Sequence, residues 1–305
     1  MKLDCKPDDF RVRPEAWKRK RFKLARVDTR IDKLYKNKKD YRALLDSFTE
    51  ELSDLQRVLY AHGRYALLLI FQGMDTAGKD GAIRHVMSGV NPQGCQVHSF
   101  KQPSAEELAH DYLWRTSKRL PMRGKIGIFN RSYYEEVLIV KALPEVLAAQ
   151  PLPEEFVGHH GFWQDRYDDI VNFEKYLHRN GTRVLKFFLH LSKDEQRARL
   201  LSRAHEAEKH WKISSADLKS REQWDVLATA YEDCLLHTSH DHAPWYAIPA
   251  DDKRNARLII SHIIIETLST LPLAYPEPDA KQLAEVKRVR EVLEAENKAG
   301  KTKGK

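Results

Sequence analysis

The octet Gly73-Met74-Asp75-Thr76-Ala77-Gly78-Lys79-Asp80 carries the residue types and spacing most suited to chemistry in this chain. Its G-x-x-x-x-G-K pattern is the core of a phosphate-binding loop. Gly73 and Gly78 permit torsions and close approaches that a Cβ would block, so consecutive N–H groups can converge on phosphate oxygens. Lys79 adds a positive charge at the N-terminus of a following helix, whose dipole also favours anions. Asp80 stands where a serine or threonine usually offers Mg²⁺ a hydroxyl, and a second carboxylate, Asp75, lies inside the loop. Two acids beside a phosphate cradle repel an anionic substrate unless a divalent cation lies between them. The motif therefore reads as a phosphate-transfer site loaded with Mg²⁺, or with Mn²⁺ in its place, with Asp75 and Asp80 as the candidate metal ligands and the choice between the two acids open.

The neighbouring segments supply the elements that such a loop needs. Tyr65–Phe71 is a short apolar run without alternation, as expected of a parallel strand buried on both faces. Lys79 to Val90 reads as the helix after the loop. Further apolar strands are expected at 95–100, 125–129, 184–189 and 245–249, with a helix before the first strand at 41–62, one between strands at 161–180 and a closing helix at 254–271. Ser104 opens a capping box with Glu107, and the helix it starts is expected to carry Asp111, Tyr112 and Arg115. Ser192 opens another with Glu195, and Ser214 or Ser215 caps a later helix. Five strands alternating with helices specify a three-layer α/β/α fold around a five-stranded parallel sheet. Ligands gather at the carboxyl ends of such strands, so the polar cluster after the third strand, with Arg131 and Glu135, should lie beside the loop.

With 305 residues, 42% of them hydrophobic, the chain can form one large domain. We divide it into a basic N-terminal arm (1–40), a kinase-like domain (41–275) with a cationic lid at about 197–221, and a charged C-terminal helix and tail (276–305). The net charge of +8 indicates an anionic partner: nucleic acid, a membrane surface or a polyphosphorylated small molecule. Its three cysteines form no paired motif, and no apolar stretch is long enough for a signal or a span, which fits a reduced cytoplasm. His237, His240 and His242 lack an acidic or thiol partner at ligand spacing and read as a polar loop. Tyr133 and Tyr134 suit either stacking on a base or packing beneath the loop.

Phosphoryl transfer requires dispersed cations to neutralise three equatorial oxygens, and the chain offers three groups. Lys79 and Arg84 lie at the loop. Arg115 and Arg131 follow the second and third strands, and Arg199, Arg203, Lys209 and Lys212 line the lid region, with Trp211 among them.

The chain resembles the polyphosphate kinase 2 family in several ordered motifs. They are Gly73-x-Asp75-x-x-Gly78-Lys79-Asp80-Gly81, Asn91-Pro92-x-Gly94, Asp111-Tyr112-Leu113-Trp114-Arg115 and Phe129-Asn130-Arg131-Ser132-x-Tyr134-Glu135. Leu185-Lys186-Phe187-Phe188-Leu189-His190 and Ala243-Pro244-Trp245-Tyr246-x-Ile248-Pro249-Ala250 complete the set. The resemblance implies a thymidylate-kinase-like P-loop fold with a helical lid. It also implies reversible, Mg²⁺-dependent transfer of phosphate from inorganic polyphosphate to AMP and ADP. Adenine nucleotides, and guanine nucleotides beside them, are the implied acceptors, and the implied assembly is a homodimer or homotetramer with no nucleic-acid or membrane partner.

Carried across by position, Gly73, Gly78, Lys79, Gly81 and Arg84 hold phosphate together with Arg199, Arg203, Lys209 and Lys212 of the lid. Asp75 organises the metal, with Asn130 in the Walker B place where many members have aspartate. Arg131 clamps phosphate oxygens, while Asp111, Arg115, Asn130, Tyr134 and Glu135 face the nucleotide. Glu135 matches the subgroup, class III, that accepts both AMP and ADP; Tyr133 and Thr76 depart from that subgroup's commoner histidine and alanine. An ATP-dependent nucleoside monophosphate kinase and a basic nucleic-acid-binding protein are the alternative functions.

Overall fold

β1 (Ala66–Gln72) is buried along its whole length, as an apolar run without alternation requires. The computed structural model describes residues 3–15, 23–213 and 215–302. Ahead of β1, α1 (Lys38–His62) starts where the Asn37 side chain accepts from the Lys39 and Asp40 amides. It stops at Gly63, whose φ of 65° supplies the left-handed cap. After β1 come α2 (Lys79–Val86), β2 (Cys95–Ser99) and β3 (Ile126–Asn130). α3 (Phe162–Arg179), β4 (Thr182–His190) and α4 (Lys193–His205) follow, then α5 (Ser215–Glu222), α6 (Trp224–Thr238), β5 (Trp245–Pro249) and α7 (Lys253–Ser269).

All four strand pairs are parallel and the order is β2-β3-β1-β4-β5. The five-stranded parallel sheet is the expected one. Alternate residues of β1 serve opposite layers. Leu67, Leu69 and Phe71 pack with α1, α2 and α7. Leu68 and Ile70 pack with α3, α6 and the segment after β3. The connections leaving β1 and β4 run to opposite sides of the sheet, which opens a crevice at their carboxyl ends.

Several expectations change in detail. α2 ends at Val86 rather than Val90, and the chain turns at Gly89 with φ of 87°. The single helix expected after Ser104 is two short turns, Ala105–Leu108 and Trp114–Ser117. The Asp111 carboxylate accepts from the Leu113 amide at 2.9 Å and breaks the helix between them. Ser104 and Glu107 do form the capping box; Ser192 accepts from the Glu195 amide, but its own amide donates to Asp251 at 2.9 Å, so the second expected box is only half formed. Ser214, one of two candidate caps, lies outside the described residues. Glu136–Val140 is a π-helical turn that periodicity does not reveal.

The described residues of the N-terminal arm bind this chain's own sheet edge. The Val12 amide donates to the Trp245 carbonyl at 2.8 Å, and Ser239 Oγ donates to the Val12 carbonyl at 2.7 Å. The edge of β5 is thereby covered. Farther along, Asn255 Nδ2 donates to the Asp32 carbonyl at 2.8 Å. This compact unit ends at Leu273. The second unit, Ala274–Lys305, contains helix α8 (Ala280–Thr302), exposed over 280–296; the unit begins close to the expected start of the charged tail.

Candidate active site

The loop between β1 and α2 is shaped by contacts that its glycines permit. Gly73 has φ of 155°, and a Cβ there would stand 2.9 Å from the Leu189 carbonyl oxygen. Gly78, with φ of 101°, caps α2 in the left-handed region. Thr76 takes φ of 65° without being glycine, a conformation that the surrounding bonds must hold. Its Oγ1 is buried with no hydrogen-bond partner, as is Gln72 Oε1 at the end of β1. Unpaired buried oxygens at the mouth of a phosphate loop are open to a ligand.

Lys79 is buried and curls back into the loop, donating to the Gly73 carbonyl at 2.6 Å and the Met74 carbonyl at 3.4 Å. Burial lowers its pKa to about 8, and Arg131 pushes in the same direction; Asp75, Glu135 and Asp80 oppose them. The influence of all four neighbours places Lys79, Asp75, Asp80, Arg131 and Glu135 in one electrostatic cluster. β3 delivers the second half of that cluster through its pairing with β1, in which Phe71 faces Asn130. Asn130 Nδ2 donates to Asp80 Oδ1 at 2.5 Å. The next residue, Arg131, takes φ of 62°, donates its amide to the Phe71 carbonyl at 3.0 Å and sends Nη2 to Asp75 Oδ1 at 3.1 Å.

Glu135 follows one turn later, half-buried. Burial raises its pKa, while Arg131 first and Lys79 second pull it down. The sequence-predicted residues Asp75, Lys79, Asp80, Asn130, Arg131 and Glu135 therefore converge. Gly81 follows in the first turn of α2, with room for a Cβ 3.7 Å from Arg257. Arg84 is exposed on the same helix.

Two acids, each using one oxygen on a neighbour, fit a cation that keeps several waters and takes further oxygens from substrate phosphates, as Mg²⁺ does. Among the described residues no group of three or more histidine, cysteine or acidic side chains could enclose a metal. His237, expected in a polar loop, instead lies in the last turn of α6 with Nδ1 2.8 Å from the Asp233 carbonyl oxygen, while His240 and His242 follow in the loop. His240 and His242 stack there at 5.4 Å, and burial, then His240, depresses the His242 pKa to about 4.

Other placements differ from expectation. Arg199 is not a free cation of the lid: it is buried, with Nη1 donating to the Thr76 and Ala77 carbonyls at 3.2 and 2.9 Å. Its Nη2 donates to the Ala250 carbonyl at 2.6 Å, and its Nε bonds Glu195 at 2.9 Å. The position one helical turn past Glu195 points inward, so the guanidinium braces the loop from behind. Arg203 is half-buried, Lys209 pairs with Glu206, and Lys212 lies 4.9 Å from the ring of Trp211, which is 79% exposed.

Tyr134 is fully buried and presents no face to a base. Its hydroxyl donates to Glu174 at 2.8 Å and accepts from Lys186 at 2.8 Å; Lys186 also reaches Glu174 at 2.5 Å. Tyr133 joins the same buried network at 2.9 Å. Packing beneath the loop is thus the outcome for both tyrosines. Asp111 is exposed in its turn, and Arg115 donates to the Lys101 carbonyl at 2.8 Å while lying over Phe100.

Three supporting residues escape the sequence reading. The Tyr231 hydroxyl oxygen accepts from the Gly73 amide at 3.1 Å. Gln196 donates to the Asp75 carbonyl at 3.1 Å. Buried Gln72 reaches Ser132 at 3.4 Å. Gln196 and Arg199, at i and i+3, share the helix face toward the loop; that spacing was the available signal.

A parallel sheet with a glycine-lysine loop after its central strand, acids at the loop mouth and a cationic helical segment after the fourth strand defines a P-loop phosphotransferase. The family model "Polyphosphate kinase 2 (PPK2)" matches residues 35–274. The chain belongs to the polyphosphate kinase 2 family. It is 56% identical over 270 residues to an ADP-polyphosphate phosphotransferase of Rhodopseudomonas palustris, covering 88% of this chain and 93% of that one. It is 42% identical over 273 residues to an AMP/ADP-polyphosphate phosphotransferase of Meiothermus ruber, covering 88% and 96%. The crystal structure of polyphosphate kinase 2 from Arthrobacter aurescens TC1 superposes with a TM-score of 0.83 at 37% identity, covering 95% and 99% of the two chains.

Proposed function

We propose that this protein transfers phosphate from inorganic polyphosphate to ADP and AMP, giving ATP and ADP, with the reverse reactions available. The observation that carries the reading is the convergence of Lys79, Arg131, Asp75 and Glu135 on one loop mouth. The names of the two relatives, one for ADP and one for AMP/ADP, support the same acceptors.

In this reading a terminal phosphate oxygen of the nucleotide attacks the end phosphorus of the polyphosphate. A new P–O bond forms as the P–O bond to the shortened chain breaks. The loop amides and Lys79 hold phosphate oxygens in line, and Arg131 exchanges its contact with Asp75 for a developing charge. Asp75 and Asp80 hold Mg²⁺, which when bound neutralises phosphate charge. Half-buried Glu135 orients the acceptor. Arg203, Lys209 and Lys212 extend the cationic track for the donor, while Arg199 keeps the loop in shape. We place the enzyme in the cytoplasm as a homo-oligomer, with guanine nucleotides as further acceptors and nucleic acid outside its partners. Among the described residues no helix is long and apolar enough to cross a membrane.

The test is product formation from AMP and from ADP, run separately, with Mg²⁺ and polyphosphate. Phosphorylation of AMP with ATP but not polyphosphate as donor would replace this reading with a nucleoside monophosphate kinase.

A further inference from the structure

A second basic site lies at the opposite end of the sheet from the loop. A cavity of about 520 Å³ is lined by Arg64, Arg179, Arg183, His62, His178 and Tyr65. Its walls are the C-terminal ends of α1 and α3 and the starts of β1 and β4. The phosphate loop follows the other end of β1, seven residues away, which is ~23 Å of extended chain.

The cavity is built rather than incidental. The Ala66 amide donates to the Gly181 carbonyl at 3.1 Å, and a Cβ on Gly181 would stand 3.0 Å from the Arg64 carbonyl oxygen. Gly181 has φ of 89°, so two requirements favour glycine at this point. Arg183 is fixed: its Nη1 donates to the His178 carbonyl at 3.2 Å, and its guanidinium lies 5.3 Å from the Tyr65 ring centre. No acidic side chain lines the cavity. Arg64, Arg179 and Arg183 form no ion pair among the described residues, although many arginines elsewhere in the chain do. Burial, then Arg183, lowers the His178 pKa.

Three arginines without carboxylates around one hollow form a site for a multiply charged anion. We propose that this cavity binds a remote stretch of a long polyphosphate chain, one whose reacting end lies in the phosphate loop. This rests on the function proposed above. A chain held at both places raises its effective concentration at the loop with no new contact there. A short oligophosphate cannot span the two sites, so the cavity discriminates by donor length.

The double variant R64A/R179A removes two exposed cations that lie outside the catalytic machinery. Three measurements are made on it and on the parent: direct binding of long-chain polyphosphate at two salt concentrations, turnover with a short oligophosphate and with long chains, and the melting temperature. The variant should bind long chains about tenfold more weakly, with a shallower salt dependence, because fewer phosphate contacts release fewer counterions. Turnover on the short donor and the melting temperature should stay at parent values. Equal affinity of the two proteins for long chains would overturn the proposal. So would parallel losses on short and long donors with a lowered melting temperature, which would assign the arginines to compensating the helix C-termini. Absence of any nucleotide product from the parent would refute the proposed reaction, while the binding measurement would still report on the cavity.

Discussion

Arg131 Nη2 and Asp75 Oδ1 lie 3.1 Å apart, so the guanidinium assigned to phosphate oxygens and the carboxylate assigned to Mg²⁺ neutralise each other. Phosphate competes with Asp75 for Arg131, and a cation draws Asp75 away from it. In the proposed reaction metal and donor binding are therefore linked through this pair. Mg²⁺ should tighten polyphosphate binding in the parent, and Asp75→Asn should shrink that effect while lowering kcat by ~100-fold or more. A titration of polyphosphate affinity against Mg²⁺ concentration measures it; an unchanged Mg²⁺ effect in the variant would remove Asp75 from the metal site.

The lowered pKa of Lys79, about 8, gives donor binding a pH dependence. The cation is present below that value and lost above it, so polyphosphate affinity should fall as pH rises through 8. Lys79→Arg should flatten the fall, since its charge persists. The sign for stability is opposite. Between about 8 and lysine's ordinary 10.5 the unfolded chain holds more protons at this position, so the unliganded fold gains stability as pH rises. Affinity measurements from pH 7 to 9 on both proteins decide the first point.

Glu135 should discriminate between acceptors. Glu135→Asn removes a charge that faces both Arg131 and Lys79, and it should depress AMP turnover by about tenfold more than ADP turnover. Comparing kcat/KM for the two acceptors provides the check, and equal losses would remove Glu135 from acceptor choice.

Arg199 should matter first for folding. Arg199→Met leaves the Thr76, Ala77 and Ala250 carbonyls without their donor and should cost about 3 kcal/mol in urea unfolding. Arg199→Lys, able to keep one or two of those bonds, should recover part of the loss. Full stability in the methionine variant would contradict the bracing role.

The layers and the loop were legible in the sequence because apolar runs and G-x-x-x-x-G-K report local physics. Strand order was not, since nothing local in 184–189 states that it pairs with β1 rather than β3. Arg131 and Glu135 were found from their place after a strand, a rule about topology. Arg199 and Tyr134 were misjudged in placement for the opposite reason: a cation on an amphipathic helix and a tyrosine near a site have the same composition whether they face solvent or the interior. α6 went unassigned although Leu227, Ala230, Tyr231, Cys234 and Leu235 form its buried stripe at helical spacing.

The bonds from Arg199 and Gln196 to the phosphate loop tie α4 to that loop. Anchored at both residues, α4 is held to the loop through at least Arg199. The backbone first leaves helical geometry at Glu206, with φ of −97° and ψ of 104°. Lys209, Trp211 and Lys212 lie beyond that break, whereas Arg203 shares its helix with the two residues that hold the loop, so the cations expected to act together are divided between two elements.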